Sequence, residues 1–196
     1  MFDELKTAQA AAYLLNKAGG TMDHLKLMKL LYLADRLSWE KYDQPISGDE
    51  YYSLPYGPVL SKTLDLMRGE APELYERNKP ITIWAEWIAD KENYKVSNAK
   101  PIDLNDEYFF DRLSPSDEEV LDDIHNKFGH FGTFALVSYT HNPKFIPEWE
   151  EPNGSRKKIE LNTLLTHLEK TPEQIKGIYE DLAIYNAFDD VINGGV

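Results

Sequence analysis

The chain has 196 residues, no cysteine and a formal net charge of −13. Apolar side chains make up 42% of it, enough for a real core in one domain of the usual ~100–200 residues. Without cysteine there is no disulfide framework, thiolate metal site or thiol nucleophile, and so acidic a surface repels phosphate backbones, which makes nucleic acid an unexpected partner.

No basic start followed by an apolar run opens the chain between Met1 and Lys17. No stretch approaches the ~18 consecutive apolar residues of a membrane span. A cytoplasmic location without a membrane partner is expected. The densest basic run, Arg156-Lys157-Lys158, reads as a solvated loop or a helix start.

Taken in chain order, Asp3 to Lys17 predicts a helix with Ala8, Ala11, Ala12 and Leu15 on its apolar stripe, ended by Gly19-Gly20. Thr21 then stands where a helix cap belongs. Asp23 to Tyr42 is the strongest element: Leu27, Leu30, Leu31, Ala34 and Leu37 share one stripe, which Leu25, Met28, Tyr32 and Trp39 widen. Its polar remainder is a narrow strip of Lys29, Arg36 and Glu40. A helix apolar over so wide an arc packs on several sides. Pro45 and Gly48 end it, Tyr51 to Leu54 is extended, and Pro55-Tyr56-Gly57-Pro58 forces a turn. Pro58 suits the first position of a further helix, which stops at Gly69.

Ile81 to Ile88 is β-branched and aromatic without a helical period, and reads as a strand returning through a turn at Asp90 to Asn93 into Tyr94 to Ser97. With Ile81, Ile83 and Trp87 on the core face, Trp84 points outward as a binding anchor, or else packs under a neighbouring loop. Ser114-Pro115-Ser116-Asp117-Glu118 starts a helix that buries Val120, Leu121, Ile124 and Phe128. Thr133 to His141 is another, with Phe134 and Val137 inward and Leu136 a further inward candidate. A loop carrying Phe145, Ile146 and Trp149 covers the core, a helix spans Glu160 to Glu169, and a capping box at Thr171 opens a last helix burying Ile175, Ile178, Leu182 and Tyr185.

No phosphate-cradling glycine loop, nucleophile elbow or His-Glu-x-x-His helix occurs, and no cofactor is expected. His125 and His130 straddle Gly129, so they cannot share a helical face. His130 and His141, with Glu148 or Glu150, are the one combination that could converge on a metal; otherwise these histidines hydrogen-bond within the fold. Asp35 falls inside the apolar arc of its helix among Met28, Leu31, Trp39 and Tyr42, with Ser38 nearby. A carboxylate there is costly unless paired, so it is either a perturbed acid in a cleft or a buried anchor. The Pro55–Pro58 tetrad either shapes a ligand groove or simply redirects the chain.

Three segments together resemble the Panacea domain, a SocA-like, phage-associated antitoxin family: Lys26-Leu27-Met28-Lys29-Leu30-Leu31-Tyr32-Leu33-Ala34-Asp35; Leu54-Pro55-Tyr56-Gly57-Pro58-Val59; and Leu113-Ser114 to Leu121 with Phe128-Gly129 and Thr140-His141-Asn142-Pro143. The family's usual Pro-Trp is here Pro147-Glu148-Trp149. The resemblance runs from Leu5 to Trp149. It implies an antitoxin that neutralises a protein toxin by direct contact, or alternatively an adaptor delivering the toxin to a cytosolic ATP-dependent protease. It implies no catalytic residues. The motif positions it carries over are Asp35, Tyr56, Gly57, Pro58 and His141.

The expected fold is mainly α: a single domain over 1–196, a helical bundle around a buried central helix at about 23–42, with a small β-hairpin at about 80–98 on one side and a helical extension at 150–196 packed on it. Trp84, Trp87 and Tyr94 are the expected partner-binding residues. A metal-assisted hydrolase built from His130, His141 and an acid is the enzymatic alternative.

Overall fold

The computed structural model describes residues 2–70, 83–103, 105, 106 and 108–193. Helix α1 (Glu4–Lys17) begins where the Asp3 carboxylate accepts from Lys6 N at 2.9 Å. Ala8, Ala10, Ala11 and Ala12 are all buried, and such short side chains let neighbouring elements approach closely. Gly19 and Gly20 then turn the chain at φ +85° and +89°, a region open to glycine. Thr21 does not cap a helix: β1 (Thr21–Asp23) runs antiparallel to a later strand, and Asp23 spends its carboxylate on the Thr133 hydroxyl. Helix α2 (His24–Tyr42) follows, ended by Asp43 in the left-handed region at φ 57°.

Strands β2 (Tyr51–Leu54) and β3 (Gly57–Leu60) form a tight hairpin around Pro55 and Tyr56, and α3 (Ser61–Arg68) follows. Pro58 therefore lies in a strand opposite Ser53 rather than opening a helix. A proline is tolerated there because β3 is the edge of its sheet. The segment expected as a strand from Ile81 is different again. Ile81 and Thr82 lie outside the described residues, while α4 (Ile83–Trp87) is a short helix leading into β4 (Ile88–Lys91) and β5 (Lys95–Asn98). On a strand Trp84 and Trp87 would face opposite sides; on a helix their spacing puts both on one side. Both are buried, at 4% and 6% exposure, and α4 packs on α1. The outward Trp84 anchor is thus replaced by a pair of core tryptophans. Of the three expected partner-binding residues, Tyr94 alone is in solvent, 86% exposed.

Helix α5 (Pro115–Phe128) starts with a capping box between Ser114 and Asp117. Helix α6 (Thr133–Thr140) turns Leu136 and Thr140 inward and leaves Phe134 72% exposed, opposite to expectation. The basic run is not a helix start: after Arg156, Lys157 and Lys158 lie in β6 (Lys157–Ile159), which adds to β2. Helices α7 (Leu161–His167) and α8 (Pro172–Asn193) close the chain. The capping box at Thr171 and Gln174 forms. Ile178 is buried, but Tyr185 is exposed.

The fold is mostly helical, with eight helices among the described residues and two three-stranded antiparallel sheets ordered β1-β5-β4 and β3-β2-β6. The expected helical bundle with one small hairpin is corrected by those two sheets. Helix α2 packs against α1, α5, α6, α7, β1 and β3, yet the sheets occupy sides where a plain bundle would place helices. No described helix is long and apolar enough to cross a membrane.

Burial of Trp84 gives a direct test. Trp84→Ala should cost ~3–5 kcal/mol of stability through the cavity it leaves, read as a fall in the urea midpoint with unchanged slope; a change within ~0.5 kcal/mol would mean that the ring sits at the surface.

Candidate functional site

The motif residues gather along two sides of α2. On the first, Asp35 is 1% exposed, and its carboxylate accepts four hydrogen bonds. Ile46 N and Ser47 N donate to Oδ1 at 3.0 and 2.9 Å, and the Ser47 hydroxyl and Tyr51 hydroxyl (3.1 Å) donate to Oδ2. Every neighbour is a donor, the arrangement an ionised carboxylate needs. Burial raises its pKa to about 6, opposed by the hydrogen bonds from Ser47 and Tyr51; the group is still ionised at neutral pH. Tyr51 in turn accepts from Trp39 Nε1 at 2.8 Å and meets the Tyr32 ring edge-on.

A second carboxylate continues the chain of contacts. Ser47 Oγ accepts from Asp49 N at 3.1 Å, and Asp49 accepts from Lys62 N at 3.0 Å, Thr63 N at 2.8 Å and Thr63 Oγ1 at 2.7 Å. Those amides belong to the first turn of α3, so Asp49 caps that helix from a distance. Burial raises its pKa too, with the amides of Lys62 and Thr63 opposing. Asp35 and Asp49 together lock the 45–51 segment between α2 and α3.

On the second side, Lys29, Tyr32 and Arg36 follow one another at helical spacing. Lys29, expected on the solvent strip, is fully buried and donates to Pro58 O at 2.7 Å. Desolvation lowers its pKa to about 7. Gly57, at φ +98°, sits against it: a Cβ there would lie 2.6 Å from Thr140 Oγ1 and 3.0 Å from Lys29 Nζ. His141 closes the same corner, with Nδ1 2.6 Å from Val137 O, Nε2 3.0 Å from Pro55 O, and its ring edge-on to Trp149. One turn further along α2, Glu148 Oε1 accepts from Tyr32 OH and Arg36 Nε, both at 2.7 Å. Trp149 Nε1 donates to Leu54 O at 3.1 Å. The Pro55–Pro58 turn is thus clamped between α2 and the end of α6.

Asp35, Gly57, Pro58 and His141 are therefore engaged inside the fold, while Tyr56 is 62% exposed at the tip of the turn. Sequence reasoning missed Lys29, Asp49 and Glu148. Lys29 had no signal beyond being a lysine inside an otherwise apolar motif; Glu148, between Pro147 and Trp149, had been weighed only as a metal ligand. The convergence a metal site needs does not form: His130 is exposed beside Phe131, and no three His, Asp or Glu side chains among the described residues stand where they could hold one ion. A cleft of about 500 Å³ opens between α2 and α5, floored by Leu33, Leu37, Ile124 and Phe128 and rimmed by Arg36 and Lys127. None of Asp35, Tyr56, Gly57, Pro58 and His141 lines it.

Residues 27–150 match the family described as Antitoxin SocA-like, Panacea domain. That stretch is more than half of the chain, and the chain belongs to this family. It takes in both clamped sides of α2 and leaves out α1, β1, β6, α7 and α8. No curated protein and no solved structure gave a match.

Two outcomes follow from the clamps. Asp35→Asn places an amide NH2 among donors, so it should cost ~3 kcal/mol or more in chemical denaturation; a loss under ~1 kcal/mol would contradict the four-donor geometry. Lys29 makes stability depend on pH with a defined sign. Below pH 7 the folded and unfolded chains both hold its proton, and the burial cost is present in full. From about pH 7 towards the ordinary value of 10.5 the folded chain gives up that proton first, so stability rises with pH. Wild type should gain thermal stability relative to Lys29→Met between pH 7 and 9, and a constant difference across that range would contradict the buried ammonium.

Proposed function

We propose that this chain is the antitoxin of a bacterial or phage toxin–antitoxin pair and neutralises a protein toxin by direct contact, covering the toxin's active or target-binding surface. The observation that carries the reading is the family match over residues 27–150. The disposition of the motif supports it. Its charged and polar groups are consumed in holding α2, the Pro55–Pro58 turn and α6 together, which is the work of a scaffold. A partner then meets outward side chains, and the exposed aromatics Tyr56, Tyr94, Tyr108 and Phe134 are the kind that anchor interfaces. Tyr94, at the tip of the β4–β5 turn, remains a candidate contact. Trp84 and Trp87 are buried and belong to the core. An interface of ordinary extent, ~1,600 Å² in total, suffices for such inhibition.

The test uses the product of the reading frame adjacent to this one. Expressed alone it should arrest growth, and co-expression of this chain should restore plating to that of the empty-vector control. With both proteins purified and no protease present, the toxin should lose its activity at equimolar antitoxin. Toxin that stays active in the purified mixture yet has a shortened half-life in cells would replace occlusion with delivery to a protease.

A further inference from the structure

Helix α8 is 22 residues long, roughly 33 Å at 1.5 Å per residue. Its first half is seated on the body: Ile178 is buried, and Ile175 and Leu182 pack against the core. Beyond Leu182, every side chain described, through Phe188, is exposed. Three of them are large and apolar: Ile184 at 54%, Tyr185 at 66% and Phe188 at 63% exposure. They stand at i, i+1 and i+4, which places them within about 100° of one face. A lone exposed residue needs no explanation, but a clustered helical face does.

The setting of that face is strongly acidic. Between Pro172 and Asn193 the sequence carries five acids, Glu173, Glu180, Asp181, Asp189 and Asp190, against the single Lys176. Lys176 is itself paired with Glu180 at 3.5 Å. The whole chain is at −13. Two copies meeting through this helix would bring like charges together at close range, and an anionic lipid surface would be repelled in the same way. A positively charged polypeptide would be drawn in.

We infer that the exposed stretch of α8 after Leu182 is a docking face for a basic amphipathic helix of the partner protein, with Ile184, Tyr185 and Phe188 as apolar anchors and Glu180 and Asp181, one turn before them, steering a lysine- or arginine-rich polar face. Resting on the antitoxin reading, this assigns the toxin a basic amphipathic segment. It also places partner choice outside residues 27–150, so that the shared domain holds the helix and the helix selects the partner.

The probe is a fluorescein-labelled peptide of leucine and lysine, about five turns long, with its leucines on one helical face. Titration with the full chain should raise its anisotropy saturably, and the affinity should fall as salt rises from ~50 to ~200 mM. A peptide of the same composition in scrambled order should bind ~10-fold or more weakly. The triple variant Ile184→Gln, Tyr185→Gln, Phe188→Gln keeps charge and helix propensity, and should lose ~10-fold or more in affinity with an unchanged melting temperature. Glu180→Gln with Asp181→Asn should weaken binding and flatten its salt dependence. Equal binding of the scrambled peptide, or full affinity in the triple variant, would overturn the inference, as would a doubled mass in light scattering that the triple variant abolishes. In the growth assay, rescue by wild type but not by the triple variant supports it; rescue by both refutes the docking face and leaves the antitoxin reading standing. Failure of wild type itself counts against the antitoxin reading, and the peptide titration still decides the role of α8.

Discussion

The Asp35 carboxylate holds four donors, Ile46 N, Ser47 N, Ser47 Oγ and Tyr51 OH, at a point with no access to water. Leaving a carboxylate there without them would cost several kcal/mol, so the chain leaving α2 has one way to run. Ser47 then meets Asp49, Asp49 caps α3, and Tyr51 begins the strand that pairs with both β3 and β6. A helix, a loop, a second helix and a sheet thus take their relative positions from one buried charge.

The other side of α2 repeats the logic with the opposite sign. Lys29 donates to Pro58 O against Gly57, and Arg36 with Tyr32 holds Glu148. These contacts join α2 to the Pro55–Pro58 turn and to the segment after α6. Buried polar contacts of this kind add directional constraints that apolar packing alone lacks. Because they use up the motif's chemistry internally, recognition is left to surfaces at the edge of the fold. The antitoxin reading and the role assigned to α8 both follow that division.

Much of this was legible in the sequence because it is periodic. Apolar spacing located α1, α2, α5 and α8, and the cap signals at Ser114 and Thr171 marked their helices correctly. The anchor at Asp35 was visible as an acid inside an apolar arc. The failures have a common cause: residues whose neighbours come from far along the chain. β1 and β6 are short strands recruited by β5 and β2, and no three-residue segment announces its partner. Trp84 was placed outward because β-branched, aromatic composition was taken as strand, whereas packing on α1 favours the helical spacing that buries it beside Trp87. Lys29 looked like solvent-facing charge until the turn at Gly57 was brought over it. Phe134 and Tyr185 were assigned inward from hydrophobicity alone, which is a one-way rule.

The claim that the Asp35 cluster is a rigid anchor can be read at two backbone amides. Ile46 N and Ser47 N lie in a loop, yet both donate to the buried Asp35 carboxylate. Native-state hydrogen exchange should find them protected to the level of global unfolding, alongside the interior of α2, with that protection lost selectively when Asp35 is replaced. Exchange at the rate of an open loop in the wild-type chain would contradict the account.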